Sequence, residues 1–165
     1  MLPKGKVTFR IIENDDQEFL FQLYAGTRAE EMSYALMSEG DKDHFLRGQF
    51  AMQSESYHLN YIGAVHRIIQ LDDVDIGRLI VLRTDRLMRI IDLSIHPHWQ
   101  GRGIGTDILR SLLNEAHGDK VPVRLSTVIG GRAQRLYARH GFRVIETAGH
   151  HHEMEWAPQD QRPTS

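Results

Sequence analysis

The chain contains no cysteine. That absence excludes disulfides, thiolate metal sites and a cysteine acyl-enzyme, and makes the cytoplasm the default location. No apolar stretch approaches the roughly 20 residues of a membrane-spanning helix, and Met1-Leu2-Pro3-Lys4 does not open a signal peptide. Aromatic residues are only 8% of the chain and do not interleave with its basic residues, so a nucleic-acid-binding module has little support. Internal repeats are absent. So are two common phosphate motifs. No lysine follows the glycines near residue 101, as a Walker A loop demands. The dinucleotide spacing Gly-x-Gly-x-x-Gly fails from Gly101, where Thr106 fills its last position, and from Gly103, where Ile108 does.

What is present is an ordinary globular composition. The 165 residues are 41% hydrophobic and 25% charged, which suits one domain over residues 1–157 and a polar tail, 158–165, expected to fray from Pro158. The net charge of −2 conceals a segregation. Residues 101–143 hold eight Lys and Arg (Arg102, Arg110, Lys120, Arg124, Arg132, Arg135, Arg139, Arg143) against Asp107, Glu115 and Asp119, so the rest is markedly acidic. A basic segment complements a polyanionic ligand and also occurs as solvated Arg-rich helix faces.

Periodicity predicts an α+β order. Val7, Phe9 and Ile11 alternate as a first strand over 7–12. Asn14 and Gln17 read as the start of a helix burying Phe19, Leu20, Leu23 and Tyr24 and ending at Gly26-Thr27. A second helix is expected over 38–55, burying Phe45, Leu46, Phe50 and Met52. From Tyr57 to Ile95 three β runs follow, separated by turns at Asp72-Asp73 and Thr84-Asp85. The last, ending Ile90-Ile91-Asp92-Leu93-Ser94-Ile95, is mostly apolar and reads as central. Ile104, Ile108, Leu109, Leu112, Leu113 and Ala116 then recur with helical period, with Gly118 as the expected cap. Residues 121–127 read as a strand, 132–140 as a helix closed by Gly141, and 142–146 and 152–156 as two last strands.

Between the third β run and the apolar helix lies Trp99-Gln100-Gly101-Arg102-Gly103-Ile104-Gly105-Thr106. Glycines at a strand-to-helix junction let a ligand approach the backbone, and the free N–H groups and dipole of the helix start favour an anion. Gln100-Gly101-Arg102-Gly103-Ile104-Gly105 fits Gln/Arg-x-x-Gly-x-Gly/Ala. That pattern resembles the pyrophosphate-binding loop of the GNAT superfamily of N-acetyltransferases. Leu136-Tyr137-Ala138-Arg139-His140-Gly141-Phe142 is similar to the family's Leu-Tyr-x-x-x-Gly-Phe, with its Tyr 37 residues after Gln100. The element order over 7–156 is also the family's.

The resemblance implies a mixed central sheet of six to seven strands flanked by about four helices. It implies acetyl-CoA as acyl donor, transferred directly to a primary amine. Cofactor contacts would come from Leu93, Ser94 and Ile95 along the pantetheine arm, and from Gln100, Gly101, Arg102, Gly103, Ile104, Gly105 and Thr106 around the pyrophosphate. An Asn common seven residues before the Tyr is Gly130 here, so Gly130-Gly131-Arg132 would substitute backbone N–H groups and a cation. Tyr137 would protonate the departing sulfur. No base is settled. The position where one subgroup carries Glu is Leu125. Asp92 is the carboxylate of the third β run and the candidate catalytic base. His96, His98, Glu30 and Glu31 are further candidates, each also readable as solvated. His150-His151-His152 alternates faces in an extended run and cannot all hold one ion, so no metal is expected. A module that binds acyl-CoA without turnover is the alternative function. Small amines, polyamines, a protein N-terminus, a lysine and an aminoacyl-tRNA stay open as acceptors, as does a homodimer; no membrane partner is expected.

Overall fold

The computed structural model describes residues 5–159. The readings on Met1–Lys4 and on the tail beyond Gln159 lie outside those residues. Pro158, expected to begin a frayed tail, is fully buried.

The strands are β1 (Val7–Ile11), β2 (Val65–Leu71), β3 (Val74–Arg83), β4 (Met88–Ile95), β5 (Val123–Val128), β6 (Arg143–Ala148) and β7 (His151–Trp156). They are hydrogen-bonded in the order β1-β2-β3-β4-β5-β7-β6, so the expected central run, β4, is the middle strand. The helices are α1 (Gln17–Thr27), a short α2 (Ala29–Ser33), α3 (Glu39–Asn60), α4 (Ile104–Asp119) and α5 (Arg132–Arg139). This is the expected mixed α+β architecture, with one extra short helix. Contacts divide the chain into two compact units: one runs up to Ile80 and adds Asp92–Arg102, the other is Val81–Ile91 with everything from Gly103 onward.

In the first unit β1 pairs antiparallel with β2, Val7 facing Leu71 and Ile11 facing Arg67. Asp72 and Asp73 join β2 to β3 with φ of 49° and 67°. Two consecutive left-handed residues make the tight turn whose twist suits adjacent strands. The core gathers Leu20, Phe21 and Tyr24 of α1, Leu46 and Phe50 of α3, and Ile68 of β2. Full burial of each such side chain contributes about 1.5–3 kcal/mol. Three expectations fail here. The start of α1 is preceded by a 3-10 turn over Asn14–Asp16. Asp16, not Asn14, closes it, accepting the Glu13 N–H at 2.7 Å while Arg10 grips both its oxygens at 2.8 and 2.7 Å. Phe45 and Met52 are exposed at 44% and 65%, because Leu46 and Phe50 set the buried face. Finally, α3 continues through Asn60 rather than yielding to a strand at Tyr57. Leu46, Phe50, Gln53 and Tyr57 keep one helical face across that boundary.

In the second unit α4 buries Ile104, Ile108, Leu109, Leu112, Leu113 and Ala116, as its periodicity predicts. It ends on Lys120 in the left-handed conformation, with Gly118 inside the last turn. β4 pairs parallel with β5 through Met88↔Val123 and Arg89↔Arg124. β5 pairs antiparallel with β7 along its whole length, from Val123↔Trp156 to Val128↔His151. β6 is an edge strand, and every one of its residues is exposed.

Candidate functional site

The glycine loop is tied to the end of the strand before it by a short set of hydrogen bonds. After Ile95, Pro97–Trp99 form a 3-10 turn, with the Trp99 N–H donating to the His96 carbonyl at 2.8 Å and the His98 N–H to His96 Nδ1 at 3.2 Å. Gln100 Nε2 donates back to the Ile95 carbonyl at 2.8 Å, tying the loop to the strand end. Arg102 stacks over Trp99, its guanidinium carbon 4.7 Å from the ring centroid, and Nη2 donates to the His98 carbonyl at 3.4 Å. Gly101 and Gly103 have φ of 77° and 80°, a conformation that a side chain disfavours. The first bond of α4 runs from the Asp107 N–H to the Gly103 carbonyl at 3.0 Å. The amides of Ile104, Gly105 and Thr106 therefore have no partner within the helix. A Cβ on Gly101 or on Gly105 would meet no atom within 4 Å. Open space beside unpaired helix-start amides is what an anion needs.

The strand before the loop is polarised. A Cβ on Gly77 of β3 would collide with the carbonyl oxygen of Ser94, and the His96 N–H donates to the Ile76 carbonyl at 2.8 Å. Ser94 and His96 thus turn their backbones toward β3. By the alternation of a strand, Leu93 and Ile95 turn theirs to the opposite edge.

The side chains of β4 point to a buried polar cluster that the sequence did not disclose. Arg78 of β3 ion-pairs with Asp92 Oδ2, the two side chains only 7% and 10% exposed. Asp92 Oδ1 accepts the Ser94 hydroxyl. Arg78 Nη2 also donates to Gln53 Oε1 at 3.0 Å, and its guanidinium lies 5.7 Å from the centroid of the Tyr57 ring. Nε of Arg78 is buried without a partner among the described residues. Burial pushes the Tyr57 phenol well above its ordinary range, reinforced by the Asp92 charge. His66 of β2 is half-buried and stacks on the exposed His58 of α3, centroids 4.8 Å apart and planes 11° apart. Burial, then the charges of His58 and Arg78, hold the His66 imidazole below its ordinary value.

Tyr137 is buried on α5, its ring 5.5 Å from that of Phe142. Its carbonyl accepts the Phe142 N–H at 3.1 Å, a return made at Gly141, where φ is 93°. The spacing of Tyr, Gly and Phe in that segment is thus a helix stop. The Gly130 N–H is not open to a ligand, since it donates to Gln134 Oε1 at 2.6 Å, while Arg132 is exposed in the first turn of α5. Glu30, Glu31 and His98 are exposed, and His96 is engaged with His98. His152 pairs with the Thr147 hydroxyl at 2.8 Å. Leu125 is an apolar core residue.

Residues 63–144 match the family model described as "Acetyltransferase (GNAT) domain". No curated protein matches the chain. Among solved structures, the PaiA N-acetyltransferase of Thermoplasma acidophilum, crystallised with coenzyme A, is similar at a TM-score of 0.67 and 16% identity, over 92% of this chain and 99% of that one. A GCN5-related N-acetyltransferase of Rhodopseudomonas palustris gives 0.65 and 16%, over 95% and 99%. A GNAT family acetyltransferase of Elizabethkingia anophelis, with acetyl-CoA bound, gives 0.55 and 13%, over 92% and 97%. At such identities the likeness is one of fold.

Proposed function

This chain carries a GNAT acetyltransferase domain, and on that premise we propose that it moves an acetyl group from acetyl-CoA to a primary amine by direct, sequential transfer. The observation that carries this reading is the start of α4: three amides without a helical partner, bordered by Gly105, beside which there is open space. Coenzyme A and acetyl-CoA complexes of proteins with this fold support the same ligand.

In this reading the loop from Gln100 to Thr106 holds the pyrophosphate. Its backbone amides supply the donors, and Gln100 and Arg102 brace the loop through their contacts with Ile95, Trp99 and His98. Arg132 contributes a cation for a further phosphate. The amide edge of Leu93 and Ile95 aligns the pantetheine arm as an added strand would, with Ser94 between them bonded to its own sheet. Attack of the amine nitrogen on the thioester carbon expels a thiolate, which Tyr137 protonates. Asp92, the carboxylate that the sequence offers as base, has one oxygen on Arg78 and the other on Ser94. Its role here is to hold Arg78 in place.

The test combines binding with turnover. Acetyl-CoA is expected to raise the melting temperature, since a ligand of the folded state stabilises it by mass action. A panel of small amines, polyamines, a free-lysine peptide and a peptide N-terminus, read by release of free thiol, should return at least one acceptor. Stronger stabilisation by NADH or ATP than by acetyl-CoA overturns the cofactor. Binding of acetyl-CoA without thiol release to any amine overturns the enzyme in favour of a sensor.

A further inference from the structure

We infer that His66 is the proton acceptor for the attacking amine and that His58, stacked face to face on its ring, is the residue that positions it; this rests on the acetyl-transfer reading above. The polar cluster of the first unit lies on one face of three adjacent strands. His66 belongs to β2, Arg78 to β3 and Asp92 to β4, and α3 covers that face through Gln53, Tyr57 and His58. Asp92 immediately precedes Leu93, where the proposed acyl donor runs. Two strand spacings, roughly 10 Å of backbone, separate β2 from β4. The proton is carried from the amine to the imidazole through bridging water.

Three of the groups there are unsuited to taking a proton. Arg78 is a permanent cation. Asp92 is bound at both oxygens, and protonating it would strand Arg78 as an unpaired buried charge. Tyr57 already carries its proton, and burial keeps it there. His58 is exposed and meets solvent first. His66 is different. No hydrogen bond to its ring is found among the described residues, it is half-buried, and its ring is fixed face to face against His58. Burial, His58 and Arg78 favour its neutral form against the opposing pull of Asp92, so a lone pair is available at neutral pH.

The step balances. The neutral amine nitrogen bonds to the acetyl carbon and gives its surplus proton to His66. The carbon–sulfur bond breaks with its electron pair on sulfur, which is protonated from Tyr137. His66 then passes its proton to solvent, and Tyr137 regains one from solvent.

Single-turnover rates as a function of pH test this, using acetyl-CoA and the fastest amine of the panel. In the unaltered protein the rate should fall on acidification along a limb lying below pH 6.5. His66→Gln should slow the chemical step by about 10²–10⁴-fold and erase that limb. His58→Gln, on the surface, should fold normally and move the limb upward, because a neighbour that holds His66 low is gone. Melting-temperature shifts with acetyl-CoA should be unchanged in both. An unaltered limb in His66→Gln, or a limb unmoved in His58→Gln, overturns the assignment while wild-type turnover keeps the enzyme reading. Absence of any wild-type thiol release overturns the enzyme reading itself, and His66 with it.

Discussion

Arg78 and Asp92 form an ion pair across adjacent strands with no more than a tenth of either side chain exposed. Each neutralises a charge that the fold would otherwise strand. Removing one partner should cost about 3–5 kcal/mol, and removing both together much less than the sum. Urea unfolding of Arg78→Met, Asp92→Leu and the double variant measures this. Additive losses would mean that the two charges are independently solvated.

Gly105 gives a prediction in which stability and binding separate. It sits in the first turn of α4 with open space where a Cβ would go. Gly105→Ala should leave the fold unchanged or up to about 1 kcal/mol more stable. Alanine fits the Gly/Ala position of the loop pattern and should leave acetyl-CoA affinity intact, whereas Gly105→Glu should weaken it at least about tenfold, a loss of about 1.4 kcal/mol, because a long acidic side chain fills and charges the space at the amides. Calorimetric titration checks the affinity, and undiminished binding by Gly105→Glu would remove the loop from the phosphate.

Tyr137→Phe keeps the ring against Phe142 and removes the hydroxyl. Acetyl-CoA binding should survive while single-turnover transfer slows by roughly 10²–10⁴-fold, nearer the lower figure, since a thiolate leaves fairly well unaided. A wild-type rate would make Tyr137 a packing residue only.

Gly77→Ala should destabilise the fold by about 1–3 kcal/mol. Its methyl would strike the Ser94 carbonyl and crowd the side chains of Ile95 and Ile69, at 3.2 and 3.3 Å. Backbone cannot give way as a flexible side chain can. An unchanged melting temperature would show that β3 shifts at little cost.

The pH dependence of stability follows from His66. Its folded-state value lies below the ordinary 6.5, so in that window the unfolded chain binds more protons. Stability should therefore fall as pH drops from about 6.5 toward the folded value. Asp16, held low by its bonds to Arg10 and the Glu13 amide, adds a further loss only at more acidic pH. Urea midpoints between pH 7 and 5 should slope in the wild type and flatten in His66→Gln.

Local patterns were legible in the sequence. The apolar period of α4, the Asp72-Asp73 turn, the glycine loop and the Tyr-to-Phe helix stop each write their cause within a few residues. What was not legible lies in partners distant along the chain. Nothing near Asp92 announces Arg78, 14 residues earlier. Asn14 looked like the cap until Arg10, on another element, drew Asp16 into that place. Tyr57-His58-Leu59 reads as β when taken alone. Only the face that it shares with Leu46 and Phe50 keeps it helical. His66 carries no motif at all, and its environment is made by α3, β3 and β4 together.

Gly105 also bears on descent. A glycine in a first helical turn with room for a side chain is a position where drift toward alanine improves the helix. A ligand lying on the backbone leaves room there for nothing larger than the methyl group of alanine. In lineages that keep the acyl donor, the position should stay small, glycine or alanine. In lineages that abandon it, Gly105 should be among the first residues of the loop to take a larger side chain, ahead of Gly101 and Gly103, whose left-handed backbones hold them for the sake of the fold itself.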